Sequence, residues 1–338
     1  MPTREQSTTE PIPPSWMSAP EPAAPARHMV DGPISLLNNR LWRGDQPVTE
    51  AFTAIDSFDY SESRDEVVFS AKTGGGSFDI GLAAGDGSRT NWLPADAADE
   101  LAVQWAPRGN KVSYVVRAKL GDVVRTLHIP TSLQYVVDFG STATIRSLTW
   151  DAAAERFSVV YSTLDASERT ESIHYNGSAR RVDVQPAARI AADLVPFGPD
   201  AFALRPRDLR YDEKLPVVVW VGDRFAWSEP RAALMRDARV ASIVVTRPPD
   251  ADFWKGLRET AWVDAARVYV IGPIGLIGPM RPIGPIAMTF IADPSVPAGR
   301  YRRTGNVVAA MPAAIQSVAA GFIADQWKRT SPANGSSR

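Results

Sequence analysis

The stretch from residue 103 to residue 114 reads Val103-Gln104-Trp105-Ala106-Pro107-Arg108-Gly109-Asn110-Lys111-Val112-Ser113-Tyr114. It combines an apolar-x-aromatic segment, a polar turn, and a segment in which apolar and polar residues alternate. Pro, Gly and Asn favour tight turns, and alternation with a period of two is typical of a half-buried strand. The stretch therefore predicts two short strands joined by a hairpin turn.

The same pattern occurs three times at a fixed spacing. Its aromatic residue is Tyr60 in the first copy, Trp105 in the second and Trp150 in the third, and successive copies lie 45 positions apart. A period of about 40–45 residues with several short strands is the mark of a β-propeller blade. Three blades are fewer than the roughly four to eight that close a ring. We therefore expect an incomplete propeller over residues 46–195, capped by another domain, a partner or further blades.

The middle copy resembles a known propeller repeat. Ala106–Tyr114 is similar to the PD40 repeat of TolB-like propellers, a WD40-like repeat with the approximate pattern W-S-P-D-G-K-x-I-x-F. Phe78-Asp79-Ile80, followed by Asp86-Gly87, resembles the later part of that repeat. The resemblance implies four-stranded blades.

After residue 200 the pattern changes from short repeats to strands alternating with helices. Leu215–Val221 is a continuous apolar run, which is typical of a strand buried on both faces. Such alternation predicts a parallel sheet with helices packed on it. The remaining expected elements are helices over 228–239, 252–263 and 311–327 and strands over 240–246 and 266–272.

The order of these elements resembles the C-terminal domain of the prolyl oligopeptidase-like (S9) serine hydrolases, which also follows a propeller. In that family Tyr211–Val221 would be the strand that enters the oxyanion loop, and Trp262–Gly272 would lead into the nucleophile elbow. The expected fold class is therefore mixed: propeller-like repeats followed by an α/β three-layer hydrolase-like domain over 196–338.

The residues that hydrolase chemistry needs are missing from this pattern. The elbow motif G-x-S-x-G requires a serine, and Ile274 stands at its position. Gly222-Asp223-Arg224 replaces the expected His-Gly of the oxyanion loop, and no histidine follows His174 to serve as a base. The sequence therefore predicts a degenerate hydrolase domain that is not an enzyme and has no catalytic residues.

Composition excludes several functions and sites. The chain has no cysteine and three histidines, so we expect no metal site and no cofactor. A net charge of −1 argues against a nucleic-acid binder. The chain contains no run of about 18 apolar residues, so no transmembrane helix is predicted. No secretory signal is apparent either. We therefore expect a cytoplasmic protein or one peripheral to a membrane, with the periplasm as the alternative.

Residues 1–45 form a proline-rich arm. Eight prolines lie within residues 1–33, and proline excludes a helix or a central strand there. The arm is therefore expected to be extended, as a disordered leader or as a binding arm anchored by Trp16 and Met17.

Two other segments are candidates for partner binding. The triplets from Gly272 to Ile286 form an apolar loop, and Ile277, Met280 and Ile283 would pack on the sheet or dock a partner. The basic cluster is expected in a solvated loop or against an anionic lipid or an acidic partner. Its members are Arg300, Arg302 and Arg303.

These expectations lead to a functional hypothesis. A hydrolase-like fold without its triad keeps only surfaces, so the sequence suggests a non-catalytic scaffolding protein. It would be an accessory subunit bound to other protein subunits, for instance in a membrane-associated complex. The alternatives are a divergent serine hydrolase or peptidase, and a small-ligand-binding protein that uses the vestigial interdomain cleft.

Overall fold

A computed structural model describes residues 8–11, 33–94, 97–222, 224–273, 286–292, 296, 300–304, 307–310, 316, 318–320 and 322–323. The chain divides into two compact units. The repeat half comprises residues 24–163 and 167–187, and the sheet half comprises residues 1–23, 164–166 and 188–338. No helix among the described residues is long and apolar enough to cross a bilayer.

The first described strand, β1 (Thr8–Pro11), belongs to the sheet half. The repeat half follows, with one three-stranded and three four-stranded antiparallel sheets, and strands consecutive in sequence are neighbours in each sheet. Its strands are β2 (Ile34–Leu37), β3 (Arg40–Arg43), β4 (Gln46–Pro47), β5 (Ala54–Ser61), β6 (Glu66–Lys72), β7 (Asp79–Ala84), β8 (Thr90–Trp92), β9 (Asp99–Trp105), β10 (Lys111–Ala118), β11 (Gly121–His128), β12 (Leu133–Asp138), β13 (Thr144–Trp150), β14 (Arg156–Ser162), β15 (Arg169–His174) and β16 (Arg180–Val184). A short 3-10 helix, Ile129–Thr131, precedes β12.

The three aromatic residues of the repeat occupy equivalent places, as the sequence predicts. Tyr60, Trp105 and Trp150 lie at the ends of β5, β9 and β13, the first strands of the three four-stranded sheets. Each stands opposite an apolar residue near the start of the second strand, namely Val67, Val112 and Phe157 respectively. The sheets are thus propeller-like units with a common register.

Side chains join each first strand to the next at the same spacing of the repeat. The Asp59 carboxylate accepts a hydrogen bond from the Trp105 backbone N–H at 2.8 Å. The Gln104 side-chain amide, 45 positions after Asp59, donates to the Leu148 carbonyl at 2.5 Å. These bonds satisfy polar groups between strands of successive sheets. They therefore help to hold neighbouring sheets together, in addition to the apolar contacts between them.

The sheets differ in how many of their faces are covered. Nearly every residue of β6 and β10 is buried, on both faces of the strand. In β14, buried residues such as Val159 alternate with half-buried ones such as Ser158. The last sheet therefore buries one face against the preceding sheet and presents a more polar second face.

The sheet half contains the rest of the nine-stranded sheet. Its further strands are β17 (Ala192–Pro196), β18 (Ala201–Pro206), β19 (Leu215–Val221), β20 (Ala241–Val245), β21 (Val263–Pro273), β22 (Ile286–Ala292), β23 (Arg300–Thr304) and β24 (Val307–Ala310). The two long helices are α1 (Glu229–Ala238) and α2 (Ala251–Glu259). Residues 316, 318–320 and 322–323 are helical, within the helix predicted over 311–327.

The centre of this sheet is parallel. The spatial order is β1-β23-β24-β22-β21-β19-β20-β18-β17. β20 and β21 both pair with β19 in parallel, β22 pairs in parallel with β21, and β24 pairs in parallel with β22. The predicted alternation of strands and helices is therefore confirmed over residues 215–273.

Each face of the sheet packs against a different helix because side chains alternate along β19. Val218 and Trp220 lie in one cluster with Leu234 of α1. Val217, Val219 and Val221 lie in another cluster with Trp254 and Leu257 of α2.

The sequence predicts an extended arm over residues 1–45, and the structure instead pairs parts of this segment in sheets. Within residues 1–45, β1 pairs with β23, and β2 and β3 belong to the three-stranded sheet. Proline is compatible with β1 because edge strands need fewer backbone donors. Repeat reasoning missed β2–β4 because that sheet carries no copy of the aromatic motif.

Candidate functional site

The chain order of the parallel strands reverses beside β19. From β19 the chain passes through α1 to β20 on one side, and then through α2 to β21 on the other side. Ligands of open α/β sheets bind outside the carboxyl ends of the strands, near such a reversal. The carboxyl edge around β19, β20 and β21 is therefore the place to look for a site.

Most of the residues predicted to bind a partner cannot be placed on this edge. Trp16, Met17, Ile277, Met280 and Ile283 lie outside the described residues, as does Ile274, which stands at the predicted elbow position. The basic cluster lies on strand β23 rather than in the expected loop, and the Arg303 side chain is exposed.

A cavity of about 780 Å³ opens on the carboxyl edge, one strand away from the reversal. We call it the edge pocket. It is formed by the turn between β17 and β18, the segment after β20, and one side of α2. Its lining residues are Pro196, Phe197, Gly198, Pro199, Asp200, Ala201, Val245, Arg247, Pro248, Pro249, Asp250, Asp252, Phe253, Gly256 and Thr260.

Strand pairing brings the two loops of the edge pocket together. Ala201 of β18 stands opposite Val245 of β20 in an antiparallel pair, so the residues before Ala201 lie beside those after Val245. The Thr246 backbone N–H donates to the Asp200 carbonyl at 3.1 Å. The Asp200 carboxylate forms an ion pair with Arg247, whose side chain is mostly exposed, whereas that of Asp200 is 13% exposed.

The first turn of α2 forms the opposite wall. Asp250 is the N-cap, and its carboxylate accepts a hydrogen bond from the Phe253 backbone N–H at 2.8 Å. This bond satisfies one of the donors that every helix leaves open at its start. The Phe253 ring meets the Phe197 ring edge to face, with 5.5 Å between their centroids. The pocket lining thus combines half-buried aromatic rings with exposed carboxylates at the start of α2.

Sequence reasoning missed this pocket. The motifs of serine hydrolases require a serine and a histidine, and the edge pocket is lined by neither. A usable signal lies in the prolines of Pro196-Phe197-Gly198-Pro199 and Pro248-Pro249, which follow two strands that end at the same edge.

Several titratable groups outside the edge pocket have shifted pKa values. Burial raises the pKa of Tyr114 and of Tyr161 to about 12, and the hydrogen bond from Tyr161 to Glu171 adds to the latter shift. Both tyrosines are in the repeat half. Hydrogen bonds from Arg239 hold the pKa values of Asp208 and Glu213 below their usual range. These shifts follow from burial and from hydrogen bonds at places away from the edge pocket.

Within the described ranges, no three carboxylate or histidine side chains come together in a way that could hold a metal ion. The expectation of no metal and no cofactor remains a prediction, as do the expected protein partners.

Comparison with solved structures relates the fold to a group of peptidases. Acylaminoacyl peptidase of Pyrococcus horikoshii matches 75% of this chain with 13% identity and a TM-score of 0.55. Dipeptidyl peptidase 4 of Porphyromonas gingivalis matches 75% with 11% identity and a TM-score of 0.54. Oligopeptidase B of Leishmania major matches 68% with 11% identity and a TM-score of 0.51.

The matched regions cover 47%, 45% and 40% of those three chains, so this chain spans less than half of their length. No protein-family model and no curated protein matches the sequence. The likeness shows that this chain shares the fold of these structures over the matched region, and it agrees with the propeller-like sheets of the repeat half.

The comparison also corrects the functional hypothesis. The three solved structures named above are peptidases, and this finding contradicts the predicted non-catalytic scaffolding role. The hypothesis relied on the missing triad and on the arm, the open propeller edge and the apolar loop as surfaces for a partner. The alternative of a divergent hydrolase or peptidase agrees better with the comparison.

Proposed function

We propose that this protein is a divergent hydrolase of the peptidase type and that the edge pocket holds a side chain of its peptide substrate. The observation that carries the proposal is the position of the pocket, at the carboxyl edge of the parallel strands and one strand away from the chain reversal. The alternation of β19, α1, β20, α2 and β21 supports a hydrolase-like domain around it. The likeness to solved peptidases supports a peptide as substrate.

The proposed chemistry does not use a Ser-His-Asp triad. Ile274 stands where the resemblance places the nucleophile, and no histidine follows His174. A hydrolase without these groups needs another base to take a proton from the attacking water. Among the described residues of the edge pocket, the carboxylates of Asp200, Asp250 and Asp252 can accept a proton. We place the general base among these three. The water oxygen bonds to the peptide carbonyl carbon, the C–N bond breaks, and the proton that the base has taken passes to the leaving amine nitrogen.

A peptide library analysed by mass spectrometry tests the proposal. The full-length protein should release cleavage products, and pretreatment with a fluorophosphonate serine-hydrolase probe should not reduce them. Replacing Asp200, Asp250 and Asp252 together by Asn should abolish cleavage. Asp237→Asn is the matched control, because Asp237 is an exposed carboxylate of the same half, on α1.

Three results would contradict the proposal. Absence of cleavage by the unaltered protein would reject the hydrolase activity. Full activity of the triple variant would reject the placement of the base. Stoichiometric labelling of a serine by the fluorophosphonate would show that a serine nucleophile exists after all.

A further inference from the structure

We infer that the edge pocket selects a positively charged group carried on an apolar stem, such as the side chain of arginine. The inference rests on the proposed function for the peptide nature of the ligand, whereas the selectivity follows from the pocket itself. Three features carry it: the aromatic wall, the balance of charges, and a glycine in the wall.

The wall suits a flat or extended apolar stem that ends in a cation. Phe197 and Phe253 form an edge-to-face pair in the pocket lining, and four prolines add rigid apolar surface. The face of an aromatic ring attracts cations, most strongly when water is excluded. A guanidinium group offers both a plane that stacks on a ring and a positive charge.

The charged groups that line the pocket sum to a negative charge. They are Asp200, Arg247, Asp250 and Asp252. Asp200 and Arg247 pair with each other. Among the described residues, Asp250 and Asp252 form no ion pair with any arginine or lysine. The start of α2 contributes a partial positive charge of about half a unit, which leaves the pocket negative.

Gly256 keeps the pocket open at a cost to the helix. It lies inside α2, where glycine is a weaker helix former than alanine. A Cβ atom at this position would meet no atom within 4 Å, so packing does not require glycine there. A larger side chain would instead enter the space that Gly256 lines. The missing side chain thus preserves volume for a ligand.

A pair of peptides that differ only in charge tests the inference. Acetyl-Ala-Arg-Ala-amide carries the guanidinium, and acetyl-Ala-citrulline-Ala-amide has nearly the same shape without the charge. Calorimetric titration of the full-length protein should show about tenfold or greater preference for the arginine peptide. The preference should decrease as salt is raised, because salt screens exposed carboxylates.

Two variants localise the binding. Gly256→Leu should abolish binding of the arginine peptide by filling the pocket, while Gly256→Ala should weaken it much less. Asp252→Asn should reduce the preference for arginine over citrulline, and Asp237→Asn should leave it unchanged. Thermal unfolding of each variant shows whether it is folded.

Equal binding of the two peptides would overturn the inference, as would unchanged binding by a folded Gly256→Leu variant. These outcomes differ from failure of the proposed function. Selective binding without cleavage would reject the hydrolase activity and retain the charge selectivity. Cleavage without charge preference would retain the hydrolase activity and reject the selectivity.

Discussion

The repeat half and the sheet half each contain a glycine inside a regular element, and the two glycines are there for different reasons. Gly81 lies in β7, directly opposite Phe69 of β6, and a Cβ atom at Gly81 would overlap the Phe69 ring. Gly256 lies in α2, where a Cβ atom would meet no atom within 4 Å. Core packing requires the first glycine and leaves the second unexplained.

This difference separates two kinds of constraint on a sequence. Close packing determines residues in the repeat half, because each sheet must fit against the next. Along the carboxyl edge of the sheet half, an open pocket persists although a better helix former would fit. A cavity that packing does not require is a candidate for function, and the following variants test that distinction.

The largest effect is expected from the core of the repeat half. Phe69 is fully buried, with its ring stacked on Phe52 at 5.2 Å and edge to face with Trp92 at 5.3 Å. Phe69→Ala should lower the free energy of unfolding by about 3–5 kcal/mol. Phe253, in the pocket wall, is only half-buried, so Phe253→Ala should lower the free energy of unfolding by clearly less. Urea titration of both variants measures the two losses. Equal losses would show that the pocket wall is also packed core.

High pH should weaken the repeat half through its buried tyrosines. Tyr161 is buried and donates a hydrogen bond to Glu171 at 2.6 Å. Its pKa is raised to about 12 in the folded protein, so its stabilising contribution is complete below pH 10 and is lost as pH rises through 12. The loss for one such group is about 2–3 kcal/mol at 1.36 kcal/mol per pKa unit.

Urea unfolding at pH 9 and at pH 12 measures this effect, and Tyr161→Phe should show a smaller decrease between the two. At pH 9 the variant itself should cost about 1 kcal/mol through the lost hydrogen bond. An identical pH dependence in the variant and the unaltered protein would refute the assignment to Tyr161.

Gly81→Ala should be destabilising by about 1–3 kcal/mol, the usual range for overpacking a core. The Phe69 ring must move to admit the methyl group, and the sheet around it is close-packed. Pairing Gly81→Ala with Phe69→Leu should recover part of the loss, since the smaller side chain makes room. If the double variant recovers no stability, the loss in Gly81→Ala arises from the backbone at position 81 rather than from contact with the Phe69 ring.

The smallest effect should have the opposite sign. Gly256→Ala should raise the free energy of unfolding by up to about 1 kcal/mol, because alanine favours the helix and meets no obstacle. Thermal or urea unfolding detects the change. If Gly256→Ala were destabilising, packing would require both glycines and the contrast between the halves would disappear.

Much of the architecture could be predicted because it depends on apolar periodicity. The 45-residue spacing of Tyr60, Trp105 and Trp150 identified the three four-stranded sheets, since each aromatic residue lies at the end of a first strand or one residue before it, in the same register. The run Leu215–Val221 matched β19 because a doubly buried strand needs apolar residues on both faces.

The edge pocket could not be predicted in the same way. Asp200 and Arg247 come together because β18 lies antiparallel to β20, and sequence patterns do not specify which strands become neighbours. Gly256 illustrates the same limit. The sequence does not show whether glycine is needed there for close packing or leaves space in a pocket. Only the atoms around Gly256 in the structure decide between the two.

The pairing of β1 with β23 has a consequence for how the chain completes its fold during synthesis. Thr8 stands opposite Arg303, so the contact joins residues separated by most of the chain. The ribosome makes β1 long before its partner, and the four sheets of the repeat half lie between them in sequence. Closing so long a loop is slow compared with forming local hairpins, so β1 should be among the last strands to dock. Until it does, the outer edge of β23 has unpaired backbone groups, and this is the stage at which two nascent or newly released chains would aggregate.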